Sequence, residues 1–140
     1  MNHYKYILIP IITLVICQLI KFTIESIYNK KLKWARLFNG SGGMPSSHTS
    51  FSTSLTILLA LNLGTDSPIF AVSLIFTLII AYDSMGLRME SGKQAVAINW
   101  IVDELFENDL KEELGHKPLE VIIGMLLGFT SAIIFNGIFV

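Results

Sequence analysis

Two histidines of this 140-residue chain stand directly before apolar segments, each inside a short polar motif. The first motif is Gly42-Gly43-Met44-Pro45-Ser46-Ser47-His48. Its glycines let backbone approach a ligand closely. Pro45 presets a helix start, and the N–H groups of a helix start favour an anion. Ser46 and Ser47 add hydroxyl donors, and His48 adds a proton donor. Together they suit a phosphate; the plainer alternative is a glycine hinge followed by an ordinary serine cap. The second motif is Gly115-His116-Lys117-Pro118-Leu119-Glu120. His116 and Glu120 are four apart, so a continuous helix puts them on one face. A carboxylate bonded to one imidazole nitrogen fixes the tautomer and raises the basicity of the other. That makes His116 a competent nucleophile. Glu120 also falls at or inside a membrane boundary, where a carboxylate is costly and by default functional. The alternative is an interfacial histidine tied to a carboxylate for structure alone.

A third group follows a long apolar run: Asp83, Arg88, Lys93 and Gln94, within Tyr82-Asp83-Ser84-Met85-Gly86-Leu87-Arg88-Met89-Glu90-Ser91-Gly92-Lys93-Gln94. Asp83 closes the run and can reach back toward neighbouring helices. Arg88 offers planar, bidentate phosphate binding and Lys93 a point charge. A lysine beside a membrane more often just contacts lipid headgroups. His3 is near the terminus and is treated as incidental. Trp34 and Trp100 fit interface anchors, and the Gly124/Gly128 pair fits close helix packing.

The elements that must position these residues are apolar. Hydrophobic residues make up 52% of the chain and charged residues 15%, with a mean hydropathy of +0.61. Charged residues in a soluble domain are nearer about 25%. So much apolar surface on so short a chain needs lipid, and the expectation is one all-α integral membrane domain over residues 1–140. Four segments approach the roughly 20 residues a spanning helix needs. They are Tyr4 to Ile24 (holding Pro10 and Gln18), about Ser47 to Leu63, Pro68 to Met85, and Pro118 to Val140. The second is short and rich in Ser and Thr, so a re-entrant or bundle-packed segment stays open. Proline starts the third and fourth, as suits a first helical turn. An amphipathic stretch, Gln94 to Phe106, predicts a fifth helix, interfacial or core-packed, in the last connection. Cys17 has no partner cysteine, and no A-x-A-like cleavage site follows the first segment, which reads as a retained anchor.

Four crossings put the first connection, Glu25 to Ser46, and the last, Gly86 to Lys117, on one side. With Lys21 these connections carry every Lys and Arg except Lys5. The positive-inside rule then sets a multi-pass protein of the cell membrane with its polar site on the cytoplasmic face. A net charge of −1 argues against nucleic-acid partners. No pattern specifies an oligomeric state, and a homodimer stays open.

The segments GGMPSSH, YDSMGLRMESGKQ and GHKPLEVIIG resemble the type 2 phosphatidic acid phosphatase superfamily, which includes vanadium-dependent haloperoxidases, and within it a small divergent membrane branch. Pro45-Ser46-Ser47-His48 matches the superfamily's P-S-G-H with Ser47 for glycine. His116 and Glu120 match its His and Asp four apart, with glutamate for aspartate. The resemblance implies that His116 attacks phosphorus to form a phosphohistidine, that His48 protonates the departing alkoxide, and that Glu120 orients His116. The superfamily's first motif, a lysine followed seven residues later by Arg-Pro, has no match here; Lys33 and Arg36 are the nearest candidates and Lys21 another. Leu110 stands where the third motif has an arginine, a charge Arg88 could supply from elsewhere. The expected function is a lipid phosphate phosphatase, with phosphate held by Gly43, Ser46, Ser47, Arg88, Lys93 and Arg36. Its substrates would be phosphatidylglycerophosphate, phosphatidic acid or a polyprenyl phosphate. No cofactor is expected, although Asp83, Glu120, His48 and His116 offer ligands for a divalent cation such as magnesium. The rival is a non-catalytic binding, assembly or transporter-subunit protein that keeps the phosphate loop.

Overall fold

A computed structural model describes residues 3–29, 43–102 and 115–139. Five helices follow in order: α1 Lys5–Asn29, α2 Ser47–Leu63, α3 Pro68–Met85, α4 Leu87–Val102 and α5 Pro118–Ile138. Among the described residues there is no strand. Within the described residues, three helical runs are long and apolar enough to cross a membrane: Lys5–Tyr28, Pro68–Ile101, which carries α3 into α4, and Pro118–Ile138. The chain is an all-α integral membrane protein. Proline opens α3 and α5 as expected, and the Ser67 hydroxyl caps α3 by accepting from the Phe70 N–H at 3.3 Å. Gly64 closes α2 with φ of 85°, a conformation side chains disfavour.

Three boundaries differ from the sequence expectation. α1 runs past Ile24 to Asn29, since Glu25–Asn29 contains no helix breaker. Pro45 does not start α2: Ser46 is the N-cap and Pro45 precedes it. α4 begins at Leu87 rather than Gln94: Gly86 alone interrupts the helical run, and Gly92, a poor helix former, is carried within it. Among its element contacts α4 touches only α3, so it is not core-packed. Its Val96, Ile98, Trp100 and Ile101 are exposed, as an interfacial helix requires. Asp103 to Phe106 lie outside the described residues.

The packing is inverted relative to a soluble bundle. Ile7, Ile11 and Val15 of α1, Ile75 and Phe76 of α3, and Ile122 and Leu126 of α5 are exposed. The centre is α2, which touches α1, α3 and α5. Its Ser47, Thr49, Ser50, Ser52, Thr53, Ser54 and Thr56 are buried. Lipid gives no hydrophobic drive between helices, so association rests on close packing and hydrogen bonds between small residues. α5 supplies the close approach. A Cβ on Gly124 would lie 2.6 Å from the Ser46 carbonyl oxygen, and one on Gly128 would lie 2.5 Å from that of Ser50. The G-x-x-x-G pair is therefore a packing device. On the other side, the Thr56 hydroxyl bonds Thr77 at 2.9 Å and Ser73 at 2.7 Å.

Two polar layers set the register. At one end Lys21 of α1 donates to the Ser47 hydroxyl at 3.1 Å, and the Ser46 N–H donates to the Glu120 carbonyl at 3.0 Å. At the other end Lys5 of α1 donates to Asn62 of α2 and, at 3.2 Å, to Asn136 of α5; Asn62 also donates to Asn136 at 2.9 Å. Between their layer residues α1 advances sixteen residues, α5 sixteen and α2 fifteen, roughly 23–24 Å of helical rise. Hence α2 runs antiparallel to α1, parallel to α5, and the full distance between the layers.

Candidate functional site

His116 does not sit on a helical face with Glu120, as continuous helix would have it. Pro118 is the first residue of α5, so His116 lies two residues before the helix. The two side chains meet because Glu120, at the third helical position, reaches back over the helix start. His116 Nδ1 and Glu120 Oε2 are 2.9 Å apart, and the same oxygen accepts from the Lys117 N–H at 3.2 Å. One carboxylate thus caps the helix and holds the imidazole. The His116 N–H donates to the Ser84 carbonyl at 3.0 Å, which ties the motif to the last turn of α3. His116 is only 3% exposed. A carboxylate accepting from Nδ1–H puts the lone pair on Nε2.

The start of α2 lies alongside. Its N-cap, Ser46, gives no side-chain cap; the Ser46 hydroxyl bonds that of Thr49 at 2.9 Å instead. The first-turn N–H groups, which usually look for an acceptor, thus get none from the cap. Lys21, 3% exposed, brings its ammonium to Ser47 at this end. A helix N-terminus and a buried ammonium together form a positive pole with the chemistry of an anion site. The Cys17 thiol donates to the Pro45 carbonyl at 3.4 Å and ties the loop to α1. Gly43, at φ of 79°, takes a turn that glycine alone makes without strain. A cavity of 210 Å³ opens there, bounded by Lys21, Glu25, Tyr28, Gly43 and Met44.

The site residues expected from sequence divide into five sets. His116, Glu120, Ser46 and Ser47 converge, and Gly43 lines the cavity beside them. His48 is exposed in the first turn of α2, on the edge that Ser52 and Thr56 continue toward α3. Asp83 is half-buried, next to Ser84. Lys93 and Gln94 are exposed on α4, and Lys93 pairs with Glu90 at 2.6 Å, so the structure does not bring them to this cluster. Arg36, Lys33 and Leu110 lie outside the described residues, as does the side chain of Arg88. Among the described residues, no three His, Cys, Asp or Glu side chains gather as a metal ligand set.

From sequence Lys21 is one of three candidates for a basic partner, and Ser84 carries no sign of a role. The signal for Lys21 was present. Lys5, Ile9, Thr13, Cys17 and Lys21 recur every four residues and are all buried, one stripe of α1 facing the bundle. A lysine at the end of such a stripe points inward. Ser84 acts through its carbonyl, which no side-chain pattern reveals.

The comparisons with known proteins agree with this architecture. The "Uncharacterized membrane protein YuiD" of Bacillus subtilis (strain 168) is 38% identical over 138 residues, covering 86% of this chain and 87% of that protein. No solved structure matches the chain. The family described as "Divergent PAP2 family" matches residues 2–131, spanning both histidine motifs, all of α2 and the first two-thirds of α5, and the chain belongs to that family.

Proposed function

We propose that the protein is a lipid phosphate phosphatase that works at the membrane surface through a phosphohistidine. The observation that carries this reading is the buried His116 held by the half-buried Glu120, 2.9 Å apart, beside the α2 N-terminus and Lys21. Phosphoryl transfer asks mainly for positioning and for charge stabilisation of the equatorial oxygens. Lys21, the Ser47 hydroxyl and the first-turn N–H groups of α2 supply that charge. Arg88 and Arg36 are further candidates from neighbouring segments. His116 Nε2 attacks phosphorus, the P–O bond to the lipid breaks, and His48 gives its proton to the departing alkoxide. Glu120 stabilises the charge that develops on His116. Water, deprotonated by His48, then attacks the phosphohistidine; inorganic phosphate leaves and both histidines return to their starting states. A site at the end of the bundle suits a phosphomonoester whose headgroup is polar and whose chains stay in lipid. Phosphatidylglycerophosphate, phosphatidic acid and polyprenyl phosphates have this form. The clustering of Lys and Arg at this end of the bundle supports a site on the cytoplasmic face, by the positive-inside rule.

The test is phosphate release by purified protein from a panel of these lipids, with magnesium and with chelator, beside His116→Ala and His48→Ala. Wild-type release that both substitutions abolish is expected, and the chelator should leave it intact. Loss with chelator and recovery with magnesium would overturn the metal-free route. Anion or lipid binding with no release from any lipid, in protein shown to be folded, would favour a non-catalytic binding or assembly role.

A further inference from the structure

A groove of 380 Å³ runs along the lipid-facing side between α2 and α3. Its rails are Phe51, Leu55 and Leu59 on α2 and Val72, Phe76 and Ile80 on α3. Three hydroxyls also line it, and all three are already engaged. Ser73 and Thr77 bond the Thr56 hydroxyl, and Ser52 donates to the Thr49 carbonyl at 3.2 Å. The groove therefore presents carbon and offers no spare hydroxyl to a polar ligand. Both rails lead to the candidate site within one helical turn. On α2, one turn back from Ser52 is His48. On α3, one turn on from Ile80 is Ser84, whose carbonyl receives the His116 N–H. From Phe51 to Leu59 the groove extends about 12 Å into the bilayer.

We infer that this groove seats one fatty acyl chain of the lipid whose phosphate is presented to His116. The inference rests on the lipid phosphatase reading for what sits at the head of the groove. Lipid surrounds the protein already, so the groove gains nothing by hydrophobic transfer. It works by alignment: a chain lying between α2 and α3 fixes the direction from which its headgroup meets His48 and His116. Entropy lost in placing the phosphate is then met by contacts remote from the reacting bond.

The experiment uses the full chain in phosphatidylcholine vesicles with three photoreactive probes. They are phosphatidic acid with a diazirine in mid-chain, phosphatidylcholine with the same labelled chain, and a diazirine polyprenyl phosphate. Phosphatidic acid should label the Leu55 and Phe76 rails several-fold above phosphatidylcholine, and His116→Ala should keep this labelling. Leu55→Trp, which fills the groove, should lower the preference for long-chain over dihexanoyl phosphatidic acid about tenfold in kcat/KM. Leu126→Trp, on the outer face of α5, should not change that preference. Equal labelling by phosphatidylcholine, labelling spread over the outer faces of α1 and α5, or selective labelling by the polyprenyl probe would overturn the inference. Groove labelling without phosphate release would keep the chain site and refute the phosphatase; release without groove labelling would do the reverse.

Discussion

Replacing Gly124 by alanine tests whether the α2–α5 contact holds the site together. The added Cβ would sit 2.6 Å from the Ser46 carbonyl oxygen, 3.1 Å from Ser46 Cβ and 3.2 Å from its nitrogen, short of the 3.4 Å where ordinary contact begins. The nearest atom is backbone, so no side chain can swing aside. The helices must part by the better part of an ångström, or α2 must slide. Overpacking of this kind costs about 1–3 kcal/mol. Gly128→Ala meets the Ser50 carbonyl oxygen at 2.5 Å and Thr53 Cβ at 2.9 Å one turn deeper, and should cost as much. Both lie in one interface, so the double variant should fall short of the sum. Gly137 is the internal control, for a Cβ there meets nothing within 4 Å. Its replacement should be neutral or gain up to about 1 kcal/mol from helix propensity. Cys17, the lone cysteine and fully buried, provides the assay. A fluorogenic maleimide reacts with it as the bundle opens on heating. The first two variants should melt roughly 3–12 °C below wild type, and Gly137→Ala should match it or exceed it slightly. Phosphate release should fall with Gly124→Ala, because Ser46 donates to Glu120 across this contact. Equal melting temperatures for Gly124→Ala and Gly137→Ala would refute the close-packing account.

Three other outcomes follow from the same geometry. Lys21→Met keeps the aliphatic stem and removes the buried ammonium; phosphate release should drop about 100-fold, with melting unchanged or raised, since burying that charge is itself costly. Lys93→Ala should keep release within about twofold and stability within about 0.5 kcal/mol, as its exposed pair with Glu90 is worth little; a tenfold loss would place Lys93 at the site after all. In a Cys17→Ser background, an impermeant maleimide on intact cells should label Thr65→Cys, in the α2–α3 turn, and reach Ser91→Cys only after permeabilisation; the opposite pattern would invert the assigned orientation.

The ends of α2 and α3 are legible because proline and glycine mark them: Gly64 and Gly86 follow them, and Pro68 opens the second. The end of α1 and the start of α4 are not, because Glu25–Asn29 and Leu87–Lys93 are partly polar stretches, the second with Ser91 and Gly92 inside it. Composition reads them as connection, while backbone hydrogen bonding continues them as helix. The nearness of His116 and Glu120 is legible from their spacing, though the cause differs: Glu120 caps the helix start and His116 stands outside it. The fate of Lys93 turns on helical phase. Once α4 begins at Leu87, Glu90 lies one turn before Lys93 and takes its charge. Pairings such as Lys21 with Ser47 join residues far apart in the chain, and only the packing of α1 on α2 makes them.

The Ser- and Thr-rich composition that makes α2 look least like a membrane span is what lets it stand at the centre of this one. A helix covered by three others has no lipid face to satisfy over most of its girth. Most of its buried hydroxyls, Thr53 excepted, return bonds to its own carbonyls, as Ser50 does to Ser47 and Ser54 to Phe51, or to neighbours, as Thr56 does to Thr77. Small side chains also admit the α5 backbone at Ser46 and Ser50. A leucine-rich α2 would cross the bilayer equally well alone, but it would hold α1 and α5 apart and leave Lys21 and Glu120 too distant to share its N-terminus. The low hydropathy of α2 and the site at its start are thus two consequences of one requirement, that three outer helices converge on a thin central one.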